Sequence, residues 1–403
     1  MFILKKVSHH CSFLINYTDY VSSFNKEQNQ RGLIYMSQVI PTVPTIAITG
    51  SAGKTTTKEM LASILQTKWK IFKSKENKNF QKNTQKHARM IKPWHQGVVL
   101  EFGMGEANTG KMHCSHIQPN IAVITNVGSA HYGVFGNSIK LTAKAKSELI
   151  KYMKPEGILY INNDDNNSKL LQIKGFKGEI FTVSIKNKSD YQAVNIKYVD
   201  QGMTFQVKLD DQLEDFFIPT FGYHNVINAL FAIGVSHHQK FSPSEIKVGL
   251  KNYEVPVRRL NHYELPNGLV ILDDSYSANP EATKAAIDVL VELGKIKKKL
   301  VILGSMLELG EYSIEGHKEV GKYLAQNKVD KIVIIGKEAR WIGKGAVEAG
   351  YPPSRILLFT KSRNKMHLYL QKLIKPNMAI LVKGSKLMQM NKTLNYLLKN
   401  FSK

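Results

Sequence analysis

The sequence predicts an α/β protein: a central domain with a parallel sheet and a small β portion, followed by a Rossmann-like α/β domain. Three observations carry this. Short apolar runs at 45–49, 98–102 and 121–127 alternate with helical stretches such as 55–67, the pattern of strands covered on both faces. Residues 181–185, 193–199, 203–209 and 216–219 then read as antiparallel strands between polar turns, closed by helices over 225–235 and 243–252. Beyond 255–261 a second βα rhythm starts, with strand-like runs at 269–272, 300–303, 331–335, 356–359 and 378–382. The expected division is a short segment 1–40, a central domain 41–257 and a C-terminal domain 258–403.

The 403 residues carry 56 Lys and Arg against 32 Asp and Glu, a formal charge of +24. A positive field attracts anionic substrates, nucleic acid or an anionic membrane surface. The lysines are scattered along the chain, which favours a merely solvated basic surface. Residues 73–92, rich in Lys, Asn and Gln, read as a loop leading into a helix. The two cysteines, Cys11 and Cys114, argue against a disulfide framework and fit a reducing cytoplasm. No apolar run reaches the ~20 residues of a membrane span, so no stable membrane insertion is expected. His9, His10 and Cys11, and likewise His113, Cys114 and His116 in a loop-like stretch, match no standard zinc spacing.

Gly50, Ser51, Ala52, Gly53, Lys54, Thr55 and Thr56 sit between a strand and a helix. Glycines let backbone N–H groups close around phosphate oxygens, and the helix N-terminus adds positive potential. Lys54 is placed to reach the β- and γ-phosphates, and the Thr55 hydroxyl to ligate Mg²⁺. Ile48 stands where the longer phosphate-loop pattern has its first glycine, so the motif is the shorter T-G-x-x-G-K-T form. Such a turn can be purely structural, but GKT in this context points to a P-loop ATPase domain.

The stretch TGSAGKTTTKEM over 49–60 resembles the loop of the Mur ligases, and within them the D-alanyl-D-alanine-adding ligases. VLEFG at 99–103, TNVGSAH at 125–131, AKAKSE at 143–148, YHNVINA at 223–229, DDSYSANP at 273–280, MLELGE at 306–311 and VKGS at 382–385 follow in the family's order. The resemblance spans about residues 41–390.

It implies an ATP-dependent amide-forming ligase. A substrate carboxylate takes the γ-phosphate of ATP to give an acyl phosphate, and an incoming amine displaces phosphate. Glu101 and Thr55 are then ligands of one Mg²⁺, and His131 with a carbamylated Lys146 ligands of a second. A carbamate turns the Lys146 cation into a carboxylate-like group that tolerates magnesium. Asn228 would read adenine, Asp274 the ribose, Arg259 the ATP phosphates, and Lys383 would lie near the reacting groups. His224 and Asn225 open the same helix as Asn228, and Asn225 can equally be its cap. Arg258 replaces a family glycine, leaving open which of Arg258 and Arg259 acts.

The sequence departs from the family in three places. Only 49 residues precede Gly50, fewer than the family's separate UDP-sugar domain; the Gly-Asn-x-Asn-Asn-x-x-Gly loop is reduced to Asn79 within 78–85; and Ser305 replaces an Asp. The expectation is therefore a small amino-acid or dipeptide amine joined to a small-molecule carboxylate, with UDP-muramoyl peptide bound poorly. The alternative is the ordinary D-Ala-D-Ala-adding ligase of peptidoglycan synthesis. A nucleotide-dependent nucleic-acid-binding protein is disfavoured, because no recognisable module accompanies the charge. A cytoplasmic monomer is expected.

Overall fold

The computed structural model describes residues 41–360 and 362–402. The segment 1–40, with His9, His10 and Cys11, lies outside the described residues. Strand β1 (Thr45–Thr49) is buried along its whole length and pairs in parallel with β3 (Gly97–Glu101) and β4 (Ile121–Ile124). With β2 (Ile71–Lys73), β5 (Ile158–Asn162), β6 (Glu179–Ser184), β7 (Tyr191–Val199), β8 (Gly202–Leu209) and β9 (Gln212–Ile218), it makes a sheet in the order β2-β3-β1-β4-β5-β6-β7-β8-β9. The carboxyl ends of β1, β3 and β4 are neighbours at one edge, where open α/β sheets hold ligands.

Two expectations need correction. The 181–185 run was expected to be antiparallel, but β6 pairs in parallel with both β5 and β7. Only β7, β8 and β9 form the antiparallel portion. Alternating polarity reports a half-buried face, not strand direction. The short strands β2 and β5 have no counterpart among the expected elements; β2 is three residues long, between polar segments.

Helices α1 (Lys54–Leu65), α5 (Tyr223–His238) and α6 (Pro243–Lys251) cover one face of this sheet. On the other face, α2 (Gln81–Met90), α3 (Thr109–His116) and α4 (Ile139–Tyr152) enclose a separate apolar cluster around Phe72, Val98, Leu100 and Ile124. A second sheet has the order β10-β11-β15-β12-β13-β14. Its strands are β10 (Asn261–Glu264), β11 (Val270–Asp274), β12 (Lys298–Gly304), β13 (Lys331–Ile335), β14 (Ile356–Phe359) and β15 (Met378–Lys383). All pair in parallel except β10, an antiparallel edge strand. The edge strand β10 has no counterpart among the expected strands, and Asp274 ends the second strand of this sheet. Helices α7 (Pro280–Leu293), α8 (Ser313–Gln326) and α9 (Arg340–Glu348) lie on one face, and α10 (Arg363–Leu373) and α11 (Asn391–Phe401) on the other.

Local chemistry sets several of these ends. Asn279 caps α7, accepting from the Ala282 N–H, with Pro280 at the first helical position. Ser242 and Glu245 form a reciprocal capping box on α6. The apolar cluster on the α1 and α5 side continues through Leu260 into Ala286, Val289 and Leu290 of α7. Both sheets thus share buried surface, and the described residues form one compact unit.

Helix α6 fixes the back of α1 through one close approach. The Ser63 hydroxyl donates to the Gly249 carbonyl at 2.7 Å, and a Cβ at Gly249 would overlap the Ile64 backbone. Gly249→Ala should therefore destabilise by about 1–3 kcal/mol despite alanine's better helix propensity. Thermal unfolding measures this; an unchanged or raised midpoint would contradict the packing.

Candidate active site

The loop between β1 and α1 is held open from behind. Gly50 (φ 149°) and Gly53 (φ 82°) have positive φ. A Cβ at the first would overlap Thr125 Oγ1, and at the second Asn228 Oδ1, so both positions need glycine on two counts. Asn126 at the end of β4 accepts from the Ser51 N–H at 3.0 Å and the Ala52 N–H at 2.9 Å. Ser51 and Gly128 bond each other through the Ser51 hydroxyl. Among the described residues no side chain caps α1, and a backbone bond runs from the Thr57 N–H to the Gly53 carbonyl. Its first-turn N–H groups face the loop without helical acceptors, a ready anion site. Asn126 sits inside a motif visible in the sequence, but its anchoring of the loop was not anticipated.

Lys54 Nζ folds onto the Gly50 carbonyl at 2.6 Å. Burial pushes its pKa down; the Glu101 carboxylate opposes this and Arg259 reinforces it. Thr55 Oγ1 donates to Glu101 Oε2 at 2.8 Å, and Asn79 Nδ2 donates to Glu101 Oε1 at 2.7 Å. Glu101 is buried at the tip of β3. Thr55 and Glu101 are thus joined as oxygen donors of the kind a hard divalent cation takes, and Asn79 orients the carboxylate. No group of three His, Cys, Asp or Glu stands ready to hold a metal among the described residues. A magnesium ion, which keeps water and shares substrate oxygens, does not require one.

Lys146 lies on α4 and is buried. Burial, reinforced by the Lys54 ammonium, depresses its pKa to about 7. His131 has a left-handed backbone (φ 61°) and its ring lies over Gly105. Its Nδ1 pairs with Glu308 Oε2 at 2.7 Å, so that nitrogen is committed to the C-terminal half rather than turned toward Glu101. Glu308 also has positive φ (67°). The bond from His131 holds its carboxyl below the usual range.

The C-terminal half contributes a second group of residues. Arg259 stacks 4.2 Å from the Tyr276 ring centroid and donates to Ser277 Oγ at 3.0 Å. Asn77 donates to the Tyr276 hydroxyl across the cleft. Of the two arginines, Arg259 acts electrostatically on Lys54, whereas Arg258 acts on the buried Asp273. Lys383 Nζ is held by the Asp274 carboxylate and by the Ser277 carbonyl. His224, beside this pair, has its pKa lowered to about 4 by burial, with Asp274 opposing.

Asn225 is not the cap of α5. Its amide donates to the Phe221 carbonyl and its oxygen accepts from Asn228, while Gly222 occupies the cap position. Asn228 also accepts from the Thr57 hydroxyl at 3.2 Å, directly behind Gly53.

These features coincide with known proteins. Residues 48–236 match the Mur ligase middle domain, and residues 258–386 the Mur ligase glutamate ligase domain. The UDP-N-acetylmuramoyl-tripeptide–D-alanyl-D-alanine ligase of Bacillus subtilis is 30% identical over 355 residues, 88% of this chain and 76% of that protein. The chain belongs to the Mur ligase family. The Escherichia coli ligase of the same name is also 30% identical, over 88% of this chain and 77% of its own. A MurF crystal structure from Acinetobacter baumannii superposes with a TM-score of 0.79 at 26% identity, covering 89% of this chain and 77% of that one. The MurF ligase of Thermotoga maritima shares the fold, with a TM-score of 0.78 at 24% identity over 99% of this chain and 87% of its own. As a Mur ligase the chain is an ATP-dependent ligase, and the nucleic-acid reading has no support. No helix among the described residues is long and apolar enough to cross a membrane.

His113, Cys114 and His116 lie on α3, not in a loop. His113 is buried, stacks on Phe102 at 4.3 Å, and bonds Thr84 Oγ1 (2.7 Å) and the Gly103 carbonyl (3.1 Å). Burial lowers its pKa to about 4. Between that value and an unfolded pKa near 6.5, the unfolded chain binds a proton that the folded chain refuses. Stability is therefore full above about pH 6.5 and falls by up to about 3 kcal/mol as pH drops toward 4. Urea unfolding should be steeply pH-dependent in this window and flatter in His113→Asn; equal slopes would refute the assignment.

Proposed function

We propose that this Mur ligase joins the amine of D-alanyl-D-alanine to the terminal carboxylate of a peptidoglycan-precursor peptide through an acyl phosphate. The observation that carries the reading is the Thr55, Glu101 and Asn79 cluster at the mouth of the uncapped phosphate loop. The relatives' names supply the substrates, and we read 41–257 as the central domain and 258–403 as the C-terminal domain.

In this reading the backbone of Gly50, Ser51, Ala52, Gly53, Lys54, Thr55 and Thr56 cradles the ATP phosphates, and Lys54 swings from the Gly50 carbonyl to the β- and γ-oxygens. Arg259, pre-oriented by Tyr276 and Ser277, supplies a further cation from the C-terminal half. Thr55 and Glu101 hold one Mg²⁺, and His131 with carbamylated Lys146 a second. Bound magnesium neutralises charge on the transferring phosphoryl group. Asn228 contacts adenine with the amide capacity left beyond Thr57 and Asn225, and Asp274 the ribose. Lys383, fixed by Asp274, neutralises the acceptor's charge. The chain's contribution is thus positioning and electrostatics rather than covalent chemistry.

The altered 78–85 segment favours a second reading for the acceptor alone: the same ligation on a carboxylate other than the UDP-linked one. ATP, Mg²⁺, D-Ala-D-Ala and UDP-muramoyl tripeptide, followed by phosphate release and product mass, separate the two. UDP-muramoyl pentapeptide is the expected product. Its absence, with ligation of a free peptide carboxylate, would move the assignment to the second reading.

Lys54→Ala should lower phosphate release by roughly 10²-fold or more while leaving thermal unfolding unchanged; near-normal turnover would sink the nucleotide assignment.

A lysine with pKa about 7 presents much neutral amine to CO₂ at slightly alkaline pH and little below neutrality. Lys146→Ala should lose activity and recover part of it with added short carboxylic acids. Full activity of this variant in bicarbonate-free buffer would exclude the carbamate.

A further inference from the structure

The geometry points to the outer face of α2 as a docking surface for an anionic lipid bilayer. Between Glu76 and Glu101 the chain carries Lys78, Lys82, Lys86, Arg89 and Lys92 and not one Asp or Glu. The scatter of lysines elsewhere is broken here, and the fold turns this run into a surface.

Helix α2 buries Thr84, His87 and Ala88. The Thr84 bond to His113 and the packing of Ala88 fix its rotation on the protein. At 100° per residue the opposite arc holds Lys82, Lys86, Arg89 and Met90, all exposed. No carboxylate pairs with Lys82 or Lys86 among the described residues.

Large apolar side chains stand at both ends of this arc. Phe80, just before the helix, is 64% exposed; Met90, its last residue, is 55% exposed; Trp94, after Pro93, is 57% exposed. Lys70 lies 5.6 Å from the Trp94 ring centroid and adds a cation at that end. A helix of this length is about 15 Å long, so Phe80 and Met90 stand within about that distance of the lysines along the axis.

Exposed Phe80 and Trp94 flanking a lysine-bearing helix with no acidic side chain match the interfacial region of a bilayer. There aromatic and thioether groups enter the headgroup boundary while lysines meet lipid phosphates. A nucleic-acid groove does not account for the exposed Met90, and a protein partner of ordinary composition does not account for the absence of acids. Asn79, at the start of the same segment, holds Glu101. Docking through α2 would set the mouth of the ligase cleft beside the membrane surface. This inference does not depend on which carboxylate is ligated.

The full chain is sedimented with vesicles of phosphatidylcholine alone and of phosphatidylcholine with phosphatidylglycerol. At low salt the anionic vesicles should carry down at least about tenfold more protein than the neutral ones. Lys86→Glu with Lys92→Glu should abolish the difference, and Trp94→Ser should weaken the part that survives raised salt. The equal charge change on another face, Lys392→Glu with Lys399→Glu on α11, should leave most of the binding intact. Thermal unfolding and ATP turnover, unchanged in every variant, show that the fold persists. Equal sedimentation with both vesicles, equal loss from the α11 control, or a preference for duplex DNA over anionic vesicles at matched salt would each overturn the proposal.

Discussion

The buried carboxylate of Glu101 is the constraint on which the rest of the site depends. Removing a charge from water is costly unless partners replace its hydration. Here the replacements come from two parts of the chain. Thr55 donates from the first turn of α1 and Asn79 from the segment before α2, while Ser74 Oγ accepts from the Glu101 N–H and fixes the strand end. The 74–79 segment is itself tied to α1, because the buried Lys58 ammonium donates to the Ser74 and Glu76 carbonyls and pairs with Glu59 at 2.7 Å. Helix, segment and strand end therefore move together. The carboxylate keeps acceptor capacity after Thr55 and Asn79 have each taken one oxygen, and Lys54 responds to its field. In the proposed function, that spare capacity is what a divalent cation would take up.

The same logic governs how the two halves meet. Glu281 at the first turn of α7 accepts from the Ser129 N–H at 3.1 Å and its hydroxyl at 2.7 Å. Asn137 accepts from the Glu311 N–H at 3.0 Å, and the Tyr132 and Tyr312 rings lie 5.4 Å apart. His131 and Glu308 complete this clasp, both with left-handed backbones that cost energy unless their surroundings impose them. Beneath the polar clasp the apolar cluster runs continuously from α5 into α7. The halves are thus joined by packing on one side and by polar contacts around the cleft on the other. Only the polar contacts can exchange for ligand contacts at little cost.

Legibility in the sequence followed how local each signal was. The glycine-rich turn at 50–53 is a local pattern, and the structure places it between β1 and α1 as read. The orientation of β6 and the edge strand β10 were not legible, because strand direction is set by crossovers rather than by side-chain alternation. Asn225 looked like a cap because asparagine often is one, yet Gly222 holds that position and Asn225 serves Asn228 instead. The clasp residues Ser129, Glu281 and Glu308 were invisible as partners. Their contacts span more than 150 residues of chain, and polar side chains near turns carry no mark of what they will meet. The stack of Arg259 on Tyr276 was not legible, since it depends on a residue seventeen positions away.

The 77–92 segment shows what composition alone does not report about charge. Summed over the chain, an excess of lysine says nothing about surface distribution, and scatter in sequence was a fair reason to expect scatter in space. A helix converts spacing into geometry: Lys82, Lys86 and Arg89 converge on one arc because the residues between them, Thr84, His87 and Ala88, are claimed by the core. The burial that makes α2 rigid therefore also makes its outer face cationic. The segment joins that face to Asn79 at its start, so a constraint serving Glu101 on the inside fixes the orientation of the basic surface on the outside.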